Sequence, residues 1–285
     1  MRIIICGMSG FVGEALSHHL VHCGYTVTPL SIRPSTSIES ITEQLDGADV
    51  IINLSGASIL KRWTDSYKKI LHSSRIETTQ KLVRAIERCA HPPQTLLNAS
   101  AVGVYDSYYQ HDENSRYFGN DFLATLVQEW EDAALEAKAL DVRVCLMRFG
   151  VVYGAEGGAM AKMLPPFKLG LGGKMGDGFQ MISWIHLDDL VRACAFLIEN
   201  KAISGAVNFT TPEPICNLRQ TNKIGHYLRR PTCFSLPGFL VRLVFGEGSS
   251  VMLDSKEVYP KVLQEAGFEF LYPNFDEAIQ EIIRN

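Results

Sequence analysis

Apolar positions along the chain follow two alternating patterns. Short runs rich in β-branched residues, at 2–6 and 49–54, lack the polar alternation of a half-exposed strand and predict strands buried on both faces, and further strands are expected over 94–100 and 142–149. Between them apolar residues recur at helical spacing. Positions 12, 15, 16 and 20 predict a helix over 11–23, closed at Gly24 where a left-handed cap is needed. Long helices are expected over 65–88 and 120–140, and a threonine-rich strand over 25–31, ended by Pro34. Short apolar strands separated by amphipathic helices predict an α/β fold: a doubly wound parallel sheet with right-handed crossovers.

The pattern changes after Gly150. Residues 150–178 hold nine glycines and the pair Pro165-Pro166, a composition suited to loops on the substrate side. Helices are expected over 188–200 and 218–228, a strand over 206–210, and a closing helix over 276–283 with apolar residues at 278, 279, 282 and 283. The expected division is a dinucleotide-binding domain over 1–155, to which 184–202 returns, and a smaller mixed α/β C-terminal substrate region made of 156–183 and 203–285.

Composition narrows the function classes. In 285 residues, 46% apolar and 20% charged positions argue against disorder and fibrous repeats. With 27 Lys and Arg against 31 Asp and Glu, the net charge of -4 gives no general attraction to nucleic acid or anionic membranes. No apolar run approaches the roughly 18 residues of a membrane span. The seven cysteines, at 6, 23, 89, 145, 194, 216 and 233, form no C-x-x-C and read as reduced thiols without a metal. The apolar start over 1–6 is too short for a signal segment, so a cytoplasmic protein is expected.

The chemistry begins at the first strand-to-helix turn. Gly7-Met-Ser9-Gly10-Phe11-Val12-Gly13 places glycines for a tight turn, a close pyrophosphate approach and a helix contact, ahead of helix amides that face an anion. An NAD site calls for Asp or Glu at the end of the second strand. Here Ser31-Ile-Arg33 offers a hydroxyl and a guanidinium, suited to a 2′-phosphate and hence NADP, although a solvated surface arginine reads the same way. Asn53-Leu54-Ser55-Gly56 ends what is expected to be the fourth strand position, where small residues let backbone approach the cofactor. Ser100 falls at the carboxyl end of the next strand, where open α/β sheets bind ligands.

These residues carry a resemblance. The glycine turn, Asn53-Leu-Ser-Gly56, Lys61-Arg-Trp63, Ser74-Arg75 and Ser100-Ala-Val-Gly resemble the extended short-chain dehydrogenase/reductase superfamily, of Rossmann type. Met163-Leu-Pro-Pro-Phe-Lys-Leu-Gly-Leu-Gly-Gly173, Ser183-Trp-Ile-His-Leu-Asp-Asp189 and Pro260-Lys-Val-Leu-Gln-Glu-Ala-Gly-Phe268 are similar to its atypical, NADP-binding epimerase family, over essentially the whole chain. The resemblance implies cofactor contacts at Gly7, Gly10 and Gly13, at Ser31, at Leu54 and Ser55, at Arg75 and at Val152. One departure stands out: the family usually places arginine directly after the residue ending strand two, where this chain has Ile32, so the 2′-phosphate contact shifts to Arg33. By analogy a homodimer would form through helices 65–88 and 120–140, which suit the inside of a monomer equally well.

Superfamily enzymes use Tyr-x-x-x-Lys, in which the ammonium lowers the phenol pKa. None of the ten tyrosines here has lysine four residues on; Tyr117 has Asp121. Substitutes for the proton donor are Tyr105, either above the nicotinamide or an aromatic loop filler, and His186, either a chemical participant or part of the helix start at Asp188-Asp189. Lys162 and Gln180 either orient a substrate or meet solvent, and Lys61-Arg62 beside Trp63 either attract an acidic substrate or lie in a solvated loop. The expected function is an NADP(H)-dependent oxidoreductase or epimerase (isomerase) of a small molecule; the alternative is a non-catalytic NADP(H) sensor.

Overall fold

The computed structural model describes residues 1–284. Its centre is a sheet of six strands, β1 (Arg2–Cys6), β2 (Thr26–Leu30), β3 (Val50–Asn53), β4 (Thr95–Ala101), β5 (Arg143–Phe149) and β6 (Gly205–Phe209). The strand order is β2-β1-β3-β4-β5-β6 and every neighbouring pair is parallel. The chain leaves β1 toward one edge and returns for β3 on the other side of β1. The carboxyl ends of β1 and β3 therefore border the crevice that a reversal of strand order opens.

Alternation along β1 explains why its sequence is apolar from Ile3 to Cys6. Ile3 and Ile5 pack with Leu16, Leu20, Leu190 and Leu197 of the helices Phe11–His22 and Leu187–Glu199. Ile4 faces the opposite way, onto Ile41, Leu45, Leu82 and Ile86 of the helices Ile38–Leu45 and Thr78–Glu87. Both faces are covered from Ile3 onward, so the polar residue Arg2 stands only at the half-buried start of the strand.

Four expectations change. Residues 53–56 end the third strand, because the chain between β2 and β3 forms the helix Ile38–Leu45. The helix expected over 65–88 is two, Asp65–His72 and Thr78–Glu87, joined by a π-type turn Ser73–Glu77. The hydroxyls of Ser73 and Ser74 bond back to the carbonyls of Ile70 (3.4 Å) and Leu71 (3.2 Å), which loosens the ladder and admits the extra residue. The glycine-rich stretch is not all loop. Met160, Leu164 and Phe167 recur at helical spacing and bury one face of the helix Met160–Lys168, with Pro165 and Pro166 on its exposed side. Finally β6, assigned from sequence to the C-terminal region that begins at 203, belongs to the central sheet, beside β5.

A second core gathers the rest. Trp184, Met160, Leu164, Ile224, Phe275 and Ile279 bring together the glycine-rich stretch, the helix Asn217–Leu228 and the closing helix Phe275–Arg284. Asp189, fully buried, ties this module to the sheet layer by accepting from the N–H groups of Leu271 (2.8 Å) and Tyr272 (2.9 Å) and from Arg192 (2.9 Å).

All seven cysteines are free thiols. Burial pushes the Cys6 thiol up to about 12 and also raises Cys145 and Cys194, whereas Cys23 and Cys233 are exposed. A thiol reagent added to the native protein is therefore expected to label Cys23 and Cys233 fast, with Cys6, Cys145 and Cys194 reacting only on unfolding. Peptide mass mapping of the labelled protein checks this order, and early modification of Cys6 would contradict the packing of β1.

Candidate functional site

At the carboxyl end of β1 the backbone turns through Gly7 with φ +80°, and a Cβ there would sit 2.9 Å from the carbonyl oxygen of Leu54. Only glycine lets the two strand ends approach so closely. Gly13 presses the next helix onto the same turn, with a would-be Cβ 2.4 Å from the Gly7 oxygen. Gly10 caps that helix without a side-chain partner, and both Ser9 and Gly10 are exposed. The first-turn N–H groups of Phe11, Val12 and Gly13 have no acceptor within their own helix and carry its positive dipole end. Phe11 fills a bed made by Gly154, Gly157 and Gly158, which is one reason the stretch after Gly150 is so rich in glycine.

Across the crevice, Asn53 fixes the turn after β3. It is fully buried, donates to Asn98 (2.7 Å) and Thr79 (3.0 Å), and accepts from the N–H of Ser55 (3.2 Å). Leu54, Val12 and Val152 pack against one cluster, so the strand Val151–Tyr153 closes the crevice wall. The Arg75 guanidinium lies over Gly56, donates to the carbonyl of Ala57 (3.0 Å) and stacks on Trp130 with 5.2 Å to the ring centroid. Burial lowers its pKa to about 10, yet it joins no ion pair among the described residues. A desolvated cation without a carboxylate is suited to an anionic ligand. The π-type turn is what aims it here, and helical periodicity alone gives no sign of that turn.

At the end of β2, Ser31 and Arg33 are exposed. The Lys81 ammonium donates to the carbonyls of Arg33 (3.2 Å) and Pro34 (3.0 Å), so a second cation stands at this rim. Sequence reasoning missed Lys81 because only tertiary packing brings its helix beside β2.

The three candidate catalytic residues, Ser100, Tyr105 and His186, have their polar side-chain atoms engaged in hydrogen bonds within the protein. Ser100 is buried and donates to Glu131 (2.5 Å), whose two carboxylate oxygens grip Arg148 at 2.7 Å each. Arg148 donates in turn to the hydroxyl of Tyr105 (2.8 Å), which donates to Asn208 (2.9 Å). Tyr105 is 0% exposed and stacks on His111; burial raises its pKa against the opposing pull of Arg148. Burial would lower the Arg148 guanidinium, but the bond to Glu131 and its charge outweigh this and hold it above the ordinary value. His186 caps the helix Leu187–Glu199. Its Nδ1 accepts from the N–H of Asp188 (3.2 Å) and its Nε2 meets Glu281 (2.9 Å) on the closing helix.

The other candidates divide. Lys162 is exposed. Gln180 is buried, donates to the carbonyls of Met175 (3.1 Å) and Met252 (3.2 Å), and leaves its Oε1 without a partner. Arg62 donates to the carbonyls of Leu243 and Val244, while Trp63 is buried and donates to Ile59 (3.0 Å). Lys256 was not anticipated: its ammonium donates to the carbonyl of Tyr105 (2.5 Å), and burial lowers its pKa against the charges of Asp121, Asp254 and Asp106.

Comparison with known proteins agrees with this geometry. A model described as the NAD dependent epimerase/dehydratase family matches residues 3–209, and one for a domain of unknown function, DUF1731, matches 236–282. An epimerase family protein of Staphylococcus haemolyticus is 37% identical over 299 residues, covering 99% of each chain. The crystal structure of human epimerase family protein SDR39U1 (isoform 2) with NADPH superposes with a TM-score of 0.92 at 33% identity, covering 100% of both chains. A nucleoside-diphosphate sugar epimerase from Corynebacterium glutamicum gives 0.79 at 30% identity, over 99% of this chain and 58% of that one. The chain thus belongs to the NAD dependent epimerase/dehydratase family, as an NAD(P)-dependent Rossmann protein of the atypical extended short-chain dehydrogenase/reductase type with a DUF1731 module.

Proposed function

We propose that the protein binds NADP(H) across the ends of β1 and β3 and acts as an oxidoreductase or epimerase on a small molecule. The observation that carries this reading is the cradle itself. Gly7 and Gly13 admit no Cβ, the helix start beyond them has no side-chain cap, and Arg75 stands across the crevice without a counterion. Those features fit a pyrophosphate. Arg33 and Lys81, on a rim with no carboxylate at the strand end, favour the extra phosphate of NADP over a bare ribose. The human relative solved with NADPH supports the same choice. The bound dinucleotide supplies hydride exchange; the chain's residues hold it and orient the partner molecule.

A second reading, a non-catalytic NADP(H) sensor, is favoured by one observation: Ser100, Tyr105 and His186 all spend their polar atoms on buried or capping bonds. Titration calorimetry with NADPH and NADH, followed by NADPH oxidation across a carbonyl panel, separates the two. Wild type is expected to prefer NADPH. Arg33→Ala and Lys81→Ala are each expected to weaken NADPH roughly tenfold and leave NADH unchanged. Equal affinity for both dinucleotides removes the NADP assignment, and binding without turnover selects the sensor.

A further inference from the structure

Two stretches far apart in sequence meet on the C-terminal region, and neither contains an acidic residue. Residues 157–176 and 217–245 together carry eight Lys and Arg, so all 31 Asp and Glu lie elsewhere. They are stitched together where Leu236 donates to the Lys174 carbonyl (2.8 Å) and the Gly176 N–H donates to Leu236 (2.9 Å). The helices Met160–Lys168 and Asn217–Leu228 share the second core through Leu164, Phe167 and Ile224. Lys223 is neutralised by Asp276. Lys162, Lys168, Arg229 and Arg230 are exposed and form no ion pair among the described residues, whereas the charge of Arg242 acts on Asp254.

Beyond Leu236 the second stretch continues into a helix that exposes large apolar side chains. In the helix Gly238–Phe245, Phe239 and Leu243 are each 67% exposed and Val244 60%, with Leu240 beside them, while Val241 alone is buried. At about 100° per residue these four positions span a stripe of about 140°, with Arg242 beyond one edge and Val241 beyond the other. Phe234 and Leu236 extend the apolar ground toward exposed Leu169 and Leu171, through the approaches of Gly173 to Phe234 and Gly170 to Pro231. A face this apolar marks a place where something docks.

Charge decides what that is. A second copy meeting this face about a two-fold axis would bring one unpaired basic set against another. An anionic bilayer offers the opposite sign together with an apolar layer beneath it. No helix among the described residues is long and apolar enough to cross a membrane, so the contact lies in the interface. We propose that this face docks on an anionic phospholipid surface, with the Phe239–Leu243 stripe entering the headgroup boundary and the surrounding Lys and Arg contacting lipid phosphates. The net charge of -4 gives no hint of this, because it averages a basic face with an acidic remainder.

Flotation of the full chain with vesicles of phosphatidylcholine alone, or mixed in equal parts with phosphatidylglycerol, tests the proposal. Binding is expected to the mixed vesicles only, and to weaken as salt is raised. The double variant Arg229→Glu/Arg230→Glu should weaken it at least about tenfold. Phe239→Ser/Leu243→Ser should abolish it while the melting temperature stays unchanged, since both side chains are already in water. Failure to float with the mixed vesicles overturns the proposal. So does a lipid-free dimer, seen in sedimentation equilibrium, that Phe239→Ser/Leu243→Ser dissolves.

Discussion

Replacing Glu131 with leucine is expected to destabilise the protein by about 3–5 kcal/mol, the range for breaking one side of a buried ion pair. The carboxylate is 7% exposed and receives three hydrogen bonds, from Ser100 at 2.5 Å and from two nitrogens of Arg148 at 2.7 Å. Without it the guanidinium, itself 5% exposed, keeps only the Tyr105 hydroxyl among these partners and must carry its charge in the interior. Leucine fills most of the volume, so the loss is electrostatic rather than a cavity. The double variant Glu131→Leu/Arg148→Met removes both charges and is expected to recover much of the loss. By contrast, the surface pair Lys68–Glu247, with Glu247 64% exposed, should contribute less than about 1 kcal/mol. Denaturant midpoints at unchanged slope measure all three. A shift below about 1 kcal/mol for Glu131→Leu would mean that solvent reaches Arg148 and that Tyr105 is not held as described.

That network also shows where sequence reading stops. The centre of the sheet was legible because β1 and β3 are buried on both faces, so their apolar runs have no competing explanation, and the glycine turn after β1 was legible because its neighbours in sequence are its neighbours in space. Arg148 lies near the carboxyl end of β5, after the apolar run Val144–Met147, and nothing local says that Glu131, 17 residues earlier on another element, is its partner. Tyr105 and His186 were attractive as acids because of their chemistry. Their burial and bonding partners come from Asn208 and Glu281, about a hundred residues away. Lys81 escaped for the same reason, being placed by contacts with the end of β2, whereas the π-type turn carrying Arg75 is a local irregularity that helical periodicity does not mark. In the glycine-rich stretch composition misled, because the spacing of Met160, Leu164 and Phe167 outweighs two prolines whose missing N–H groups fall on the exposed side.

The largest effect on the proposed cofactor should come from Gly13→Val, expected to weaken NADPH binding at least about a hundredfold. A Cβ at this position would lie 2.4 Å from the Gly7 oxygen, 2.7 Å from the Met8 Cα and 2.8 Å from the Met8 oxygen, all of them backbone atoms that no rotamer change can move. The helix Phe11–His22 must back away from the turn, taking its first N–H groups with it. Some stability is lost as well, about 1–3 kcal/mol by analogy with overpacked cores, so affinity must be read on folded protein. Gly24→Ala is the matched control. Its φ of +85° strains any side chain, but nothing lies within 4 Å of its would-be Cβ, so it should cost stability and leave NADPH affinity intact. If folded Gly13→Val binds as tightly as the control, the pyrophosphate does not rest on this helix, and Arg75 with the turn after β3 must hold it instead.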